Sequence, residues 1–281
     1  MATLTTLALI VLVVVAVFVL MSARSHRNST ARDPNTDTVK SHKLVDHATK
    51  NSDAGLPALK APGAADPLRV LEVGDSLGED LGFQMQNDLG ATGVVTFTMD
   101  SQGDTGLANE GYYDWPTELQ ADIASSHPEI VVIFLGANDG QGFLVNGEAV
   151  DFGSPSWVTA YTSRVDQMLQ ECHNSGARVL WVGMPPMQDS DLNSEMRQID
   201  GIYERQVAKF TGAVYMSSTP ILAPGGEFRF DITTSSGETE TIRTPDGTHL
   251  TAAGAELLSQ AVIAQIDSRW HLSLEPKATA P

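Results

Sequence analysis

Ser76, Asp246 and His249 supply a hydroxyl, a carboxylate and an imidazole. Those are the groups with which a protein makes an oxygen nucleophile at neutral pH. Asp246 precedes His249 by three residues in Asp246-Gly247-Thr248-His249. At a helix start, that spacing lets the carboxylate lie beside the imidazole, fix its tautomer and stabilise the imidazolium. Ser76 is then the nucleophile and His249 the general base. Acyl transfer also needs donors aimed at the developing oxyanion. The backbone N–H groups of Ser76 and Gly103 and the side-chain amide of Asn138 are the candidates. Each residue has a plainer reading as well. Ser76 could be a helix N-cap, His249 a polar helix start, Asp246 a Pro-Asp-Gly turn residue, and Asn138 a turn former beside Gly140. Gly106 rivals Gly103. Asp75 and Asp139 read as supports, the first bracing the nucleophile turn and the second tying down its own loop.

These groups can meet only if the chain's elements carry them to one edge. Residues 68–73 read as a strand ending at Gly74-Asp75-Ser76, and Leu77, Leu81, Met85 and Leu89 predict a helix over 77–89 stopped by Gly90. Residues 94–99 form a second strand, and Pro116 opens a helix to about 126. The run EIVVIFL at 129–135 predicts a strand buried on both faces. A helix over 157–172 stopped by Gly176, a strand at 178–182, a helix over 193–210, a strand near 213–216 and a helix over 251–266 follow. Strands separated by helices imply α/β architecture, a three-layer α/β/α domain on a central parallel sheet. Ligands of such sheets bind beyond the carboxyl ends of the strands, where Ser76, Gly103 and Asn138 fall. Residues 227–233 and 238–243 alternate with rough period two, so 217–245 is expected to hold a β-hairpin insertion just before Asp246.

The order Gly74-Asp75-Ser76-Leu77, Gly103-Asp104-Thr105, Gly136-Ala137-Asn138-Asp139 and Asp246-Gly247-Thr248-His249 resembles the SGNH (GDSL-type) hydrolase superfamily over about 68–270. The resemblance implies a flavodoxin-like fold and a Ser-His-Asp acyl-enzyme mechanism on ester bonds. It also implies the catalytic and oxyanion roles just given for Ser76, His249, Asp246, Gly103 and Asn138. The long gap between Asn138 and Asp246 departs from that pattern and leaves the shape of the substrate site open. Tyr113-Asp114-Trp115-Pro116 and Trp181-Val182-Gly183-Met184-Pro185-Pro186 look like a bacterial, membrane-anchored branch of the superfamily. Four functions are compatible with these residues. They are a serine esterase for short O-acyl groups, such as O-acetyl on cell-envelope glycans; an O-acyltransferase with the same triad; a lipase or thioesterase; and a non-catalytic glycan-binding module.

Composition narrows the field independently. The chain of 281 residues carries 35 Asp+Glu against 17 Lys+Arg, a net charge of −18, the wrong sign for nucleic acid. Cys172 is its one cysteine, so neither a disulfide framework nor a multi-cysteine zinc site is available. No metal, nucleotide or other cofactor is implied. Residues 4–21 form a stretch without charge, Gly or Pro, expected as a single-pass transmembrane anchor. A cleaved signal peptide is the weaker alternative, since no Lys or Arg precedes Arg24. Residues 22–66 are a polar tether of net charge +2, 67–273 the catalytic domain, and 274–281 a disordered tail. Arg24, Arg27 and Arg32 would favour a cytoplasmic domain, whereas the resemblance favours an extracytoplasmic one. Among other residues, Met184 and Met187 suit loop packing more than an acyl cleft, and Tyr112, Tyr113 and Trp115 suit anchoring the next helix. Arg243 reads as a surface salt-bridge partner and Cys172 as a small buried side chain.

Overall fold

The computed structural model describes residues 53–234 and 237–274. The anchor expected at 4–21 and most of the tether lie outside them. No helix of the described residues is long and apolar enough to cross a membrane.

The sheet is built from β1 (Leu68–Gly74), β2 (Val95–Ser101), β3 (Ile130–Phe134), β6 (Arg178–Val182) and β7 (Ala213–Met216), in the order β2-β1-β3-β6-β7. All four pairings are parallel. Every residue of β3 and β6 is buried, as a strand covered on both faces requires. The connecting helices are α1 (Ser76–Thr92), α2 (Trp115–Ser126), α3 (Pro155–Ser175), α4 (Ser190–Val207), the short α5 (Thr219–Leu222) and α6 (Ala252–Trp270). α1 packs against α6, while α2 packs on α3 and α3 on α4. The sheet is thus the middle of three layers, the α/β/α arrangement the alternation predicts. The chain leaves β1 toward β2 on one side and β3 toward β6 on the other. The crevice between the ends of β1 and β3 is therefore the topological switch point.

α1 rests on the sheet through glycines. A Cβ on Gly78 would lie 2.9 Å from a Glu72 carboxyl oxygen and 3.0 Å from the Phe134 carbonyl, and one on Gly82 would lie 2.4 Å from Met99 Sδ. That close approach leaves just enough room for the Glu72 side chain, which points from β1 under the helix and is fully buried. It accepts a 2.7 Å hydrogen bond from the Ser101 hydroxyl. Burial, chiefly, pushes its carboxyl well above the usual range.

Two hairpins depart from the alternation. β8 (Asp231–Thr233) and β9 (Thr239–Thr241) pair antiparallel inside the segment expected to hold an insertion. Their chain runs on into Ile242 and Arg243. Arg243 bridges to Leu250, and Thr251 N–H donates to the Ile242 carbonyl. The insertion is therefore tied to the two residues that follow His249. A second hairpin, β4 (Phe143–Val145) and β5 (Glu148–Val150), was not expected from the sequence. Its turn, Asn146-Gly147, has φ of 53° and 84°, the paired positive angles of the tight turn that suits strand twist.

The ends of the domain extend beyond the expected boundaries. Residues 53–66 were assigned to the tether, yet both Asp53 carboxylate oxygens accept from Arg269, and Arg178 donates to the Pro57 carbonyl. Leu274, placed at the start of the tail, is buried, and its N–H donates to Asp267.

Candidate active site

Ser76 is the first residue of α1, one step beyond the end of β1. Asp75 precedes it as the helix N-cap and accepts the Leu77 N–H at 3.0 Å through Oδ1. Its other oxygen accepts the N–H groups of Gly136 and Ala137 at 2.9 and 2.8 Å. One buried carboxyl thus joins the Ser76 turn to the loop after β3. Burial raises its pKa to about 6, against the lowering effect of those three donors.

His249 comes to Ser76 across 173 positions of sequence. Its Nε2 lies 2.9 Å from Ser76 Oγ, and its Nδ1 lies 2.9 Å from Asp246 Oδ2. A carboxylate oxygen can only accept, so Nδ1 carries the proton and Nε2 is left to accept from the serine hydroxyl. Asp246 is held from several sides. Its Oδ1 accepts the Thr244 hydroxyl at 2.7 Å, the Thr248 N–H at 2.7 Å and the His249 N–H at 3.0 Å. Partial burial alone would raise this carboxyl, but the His249 bond and these donors outweigh it and hold it far below the usual range. The turn that carries it closes with Gly247 N–H on the Thr244 carbonyl, and Gly247 has φ of +74°. A Cβ there would also strike Gln188, at 2.3 Å.

Of the expected oxyanion donors, Asn138 gives one hydrogen of its amide to the Thr105 carbonyl at 2.9 Å, leaving the second for another acceptor. Gly103 has open space on its Cβ side, where only the Glu79 carboxylate approaches, at 3.6 Å. Its rival Gly106 is closed off, since a Cβ there would fall 2.1 Å from Asp139 Oδ1.

Asp139 does not tie down its own loop as expected. Its carboxylate accepts the N–H groups of Leu107 and Ala108 at 3.0 and 2.8 Å, so it fastens the loop after β2 to the loop after β3. The Tyr161 hydroxyl donates to it at 2.6 Å, and Tyr203 continues the chain to the Leu135 carbonyl at 2.9 Å. Arg243 is likewise not a surface residue. It is 2% exposed, donates to the Pro186 carbonyl at 2.9 Å, and has a pKa lowered to about 10, chiefly by burial. Met184, Met187 and Trp115 are packed inside the domain. Trp115 donates to the Thr105 hydroxyl and Tyr113 to Asp100, while Tyr112 is exposed. Cys172 is buried, and burial pushes its thiol up.

Sequence reading missed Asp80, whose Oδ2 accepts the Leu250 N–H at 2.9 Å. It lies four residues after Ser76 and so on the same side of α1. It pins the segment next to His249 to the helix that Ser76 opens. A carboxylate one turn beyond the nucleophile was the available signal.

The family described as "Protein of unknown function (DUF459)" matches residues 69–265. No curated protein matches the chain. Among solved structures, a GDSL-like lipase from Bacteroides thetaiotaomicron VPI-5482 superimposes with a TM-score of 0.51 at 15% identity, over 75% of this chain and 93% of its own. A proposed acylhydrolase from Bacteroides fragilis NCTC 9343 gives a TM-score of 0.52 at 14% identity, over 78% of this chain and 93% of its own. At such identities the likeness shows the fold, which is that of the GDSL/SGNH hydrolases.

Proposed function

Because the chain belongs to the DUF459 family, whose description names no activity, we propose its function from the site: a serine esterase that hydrolyses short O-acyl esters. The observation that carries this reading is the unbroken relay of two 2.9 Å contacts, Ser76 Oγ to His249 Nε2 and His249 Nδ1 to Asp246 Oδ2. In the first step the Ser76 hydroxyl attacks the ester carbonyl and passes its proton to Nε2. The resulting oxyanion draws on the N–H groups of Ser76 and Gly103 and on the remaining Asn138 N–H. The imidazolium, stabilised by Asp246, returns its proton to the leaving alcohol. Water then repeats the sequence on the acyl-enzyme. The GDSL-like lipase fold supports this chemistry as an analogy.

The preferred substrate is an O-acetyl ester on a cell-envelope glycan. Residues 53–57 pack on Arg269, at the end of α6, and on Arg178, at the start of β6. Both lie at the end of the sheet opposite Ser76. With residues 4–21 as a membrane anchor and the domain outside the cytoplasm, the esters within its reach would be those of the cell envelope.

The test is turnover of p-nitrophenyl acetate by the wild-type protein, Ser76→Ala and His249→Ala. A loss of about 10³-fold or more is expected in each variant. Equal rates in all three would overturn the reading. Acylated sugar formed on adding an oligosaccharide acceptor would make the protein a transferase.

A further inference from the structure

Glu79 occupies a position that acyl transfer to a neutral ester does not call for. It lies three residues beyond Ser76, in the first turn of α1 and on the same side of the helix. Its carboxylate approaches the open face of Gly103, 3.6 Å from where a Cβ would sit, with no other side chain beyond the glycine's own chain neighbours within 4 Å. No side-chain hydrogen bond or ion pair holds it among the described residues, although its neighbours Asp75 and Asp80 are both tied to backbone N–H groups. The nearby acids deepen the negative potential. Asp80 and Asp246 flank His249, and Arg243, near both acids, is buried and donates to the Pro186 carbonyl.

An unpaired carboxylate beside an oxyanion hole works against the reaction. The tetrahedral intermediate places a negative oxygen at the Gly103 N–H, on the residue that Glu79 approaches, and like charges at short range repel. A substrate that brings its own positive charge to that spot removes the conflict. Resting on the esterase reading of Ser76, we propose that Glu79 is the specificity residue of the site and receives a cationic group, an ammonium or quaternary ammonium, carried by the ester. The group cancels the Glu79 charge as the oxyanion forms, so the gain falls on the transition state as well as on binding. The plainer role for Glu79 is to complement the positive end of the α1 dipole. That role predicts a change in stability and none in substrate choice.

Matched ester pairs separate the two. Acetylcholine and 3,3-dimethylbutyl acetate have the same shape and differ in charge on the alcohol side. The p-nitrophenyl esters of 4-trimethylammoniobutyrate and 5,5-dimethylhexanoate do the same on the acyl side. The full-length protein, Glu79→Gln and Ser76→Ala are compared on all four. The cationic member of at least one pair is expected to be preferred in kcat/KM by roughly tenfold, the size of one screened charge at this range. Glu79→Gln is expected to abolish that preference while raising the rate on the neutral member. Unchanged ratios in Glu79→Gln, with Ser76→Ala inactive, would overturn the Glu79 proposal alone. A loss of melting temperature with no change in ratio would assign Glu79 to the helix dipole. Ser76→Ala as active as wild type, or wild type inactive on all four esters, would overturn the esterase reading and the proposal with it.

Discussion

Asp80 and His249 are 169 positions apart in the chain, yet the first holds the neighbour of the second. The Leu250 N–H has the Asp80 carboxylate as its acceptor at 2.9 Å, and burial raises that carboxyl despite the lowering effect of the N–H and of His249. Asp80→Ala leaves the N–H without its acceptor, at a cost of about 1–3 kcal/mol, and frees the segment that aims the imidazole. Because a misplacement of about 1 Å can cost around 10²-fold, kcat/KM on p-nitrophenyl acetate is expected to fall by about tenfold or more. Asp80→Asn keeps an acceptor oxygen and is expected to retain most of the rate. Equal losses in both variants would mean that the charge matters and the tether does not. The residues of the relay were legible in the sequence because each sits in a short block at a strand end or just before a helix. Asp80, Glu72 and the Tyr161–Tyr203 chain were not, because their roles depend on partners far away in sequence. A glutamate inside a strand reads as solvent-facing until the glycines of the opposing helix are seen to make room for it.

Helix α1 offers the same substitution in two settings. Gly78 faces the sheet, where a Cβ would meet the Glu72 carboxyl, the Ser101 hydroxyl and the Phe134 carbonyl within 3.0 Å, and Gly90 faces open space. Alanine is a better helix former than glycine by about 1 kcal/mol. At Gly90 nothing opposes that gain, so Gly90→Ala is expected to stabilise by about 0.5–1 kcal/mol in denaturant unfolding. At Gly78 the methyl forces α1 away from a backbone carbonyl that cannot yield. Gly78→Ala is therefore expected to destabilise by about 1–3 kcal/mol and to slow turnover of p-nitrophenyl acetate, because α1 carries Ser76. A stable, fully active Gly78→Ala would show that the helix tolerates displacement. The main sheet and its helices could be read from apolar runs, although the stop expected at Gly90 is passed: α1 runs on to Thr92 and is closed by Gly93, in the left-handed region at φ of 67°. The β4–β5 hairpin could not be read from periodicity, since strands of three residues show none, though Asn146-Gly147 marks its turn.

For the molecule as a whole, the acidic balance makes stability depend on pH. Residues 67–281 carry thirty acidic and ten basic side chains, a net of −20. Several of the acids are buried. Asp75 is raised to about 6 and Asp200 to about 7, in each case first by burial, and Glu72 and Asp139 are also raised. A carboxyl with a raised pKa in the native state binds its proton there at pH values where the unfolded chain has lost it. Native stability therefore falls as pH rises from about 4 through the raised values. Asp246 has the opposite sign, stabilising above the ordinary carboxyl range and losing that contribution only as pH falls below it, so it adds no slope between pH 5 and 8. Repulsion among the surface charges acts in the same direction as the buried acids. The melting temperature is expected to be higher at pH 5 than at pH 8, and added salt should raise it more at pH 8, where the charge is fully developed. Asp200→Asn should flatten the decline, because the amide cannot titrate against the Met184 N–H that Asp200 accepts at 2.8 Å. A melting temperature that rises from pH 5 to pH 8, in wild type and Asp200→Asn alike, would show that the buried carboxyls are ionised in the native state and that their hydrogen bonds outweigh their burial.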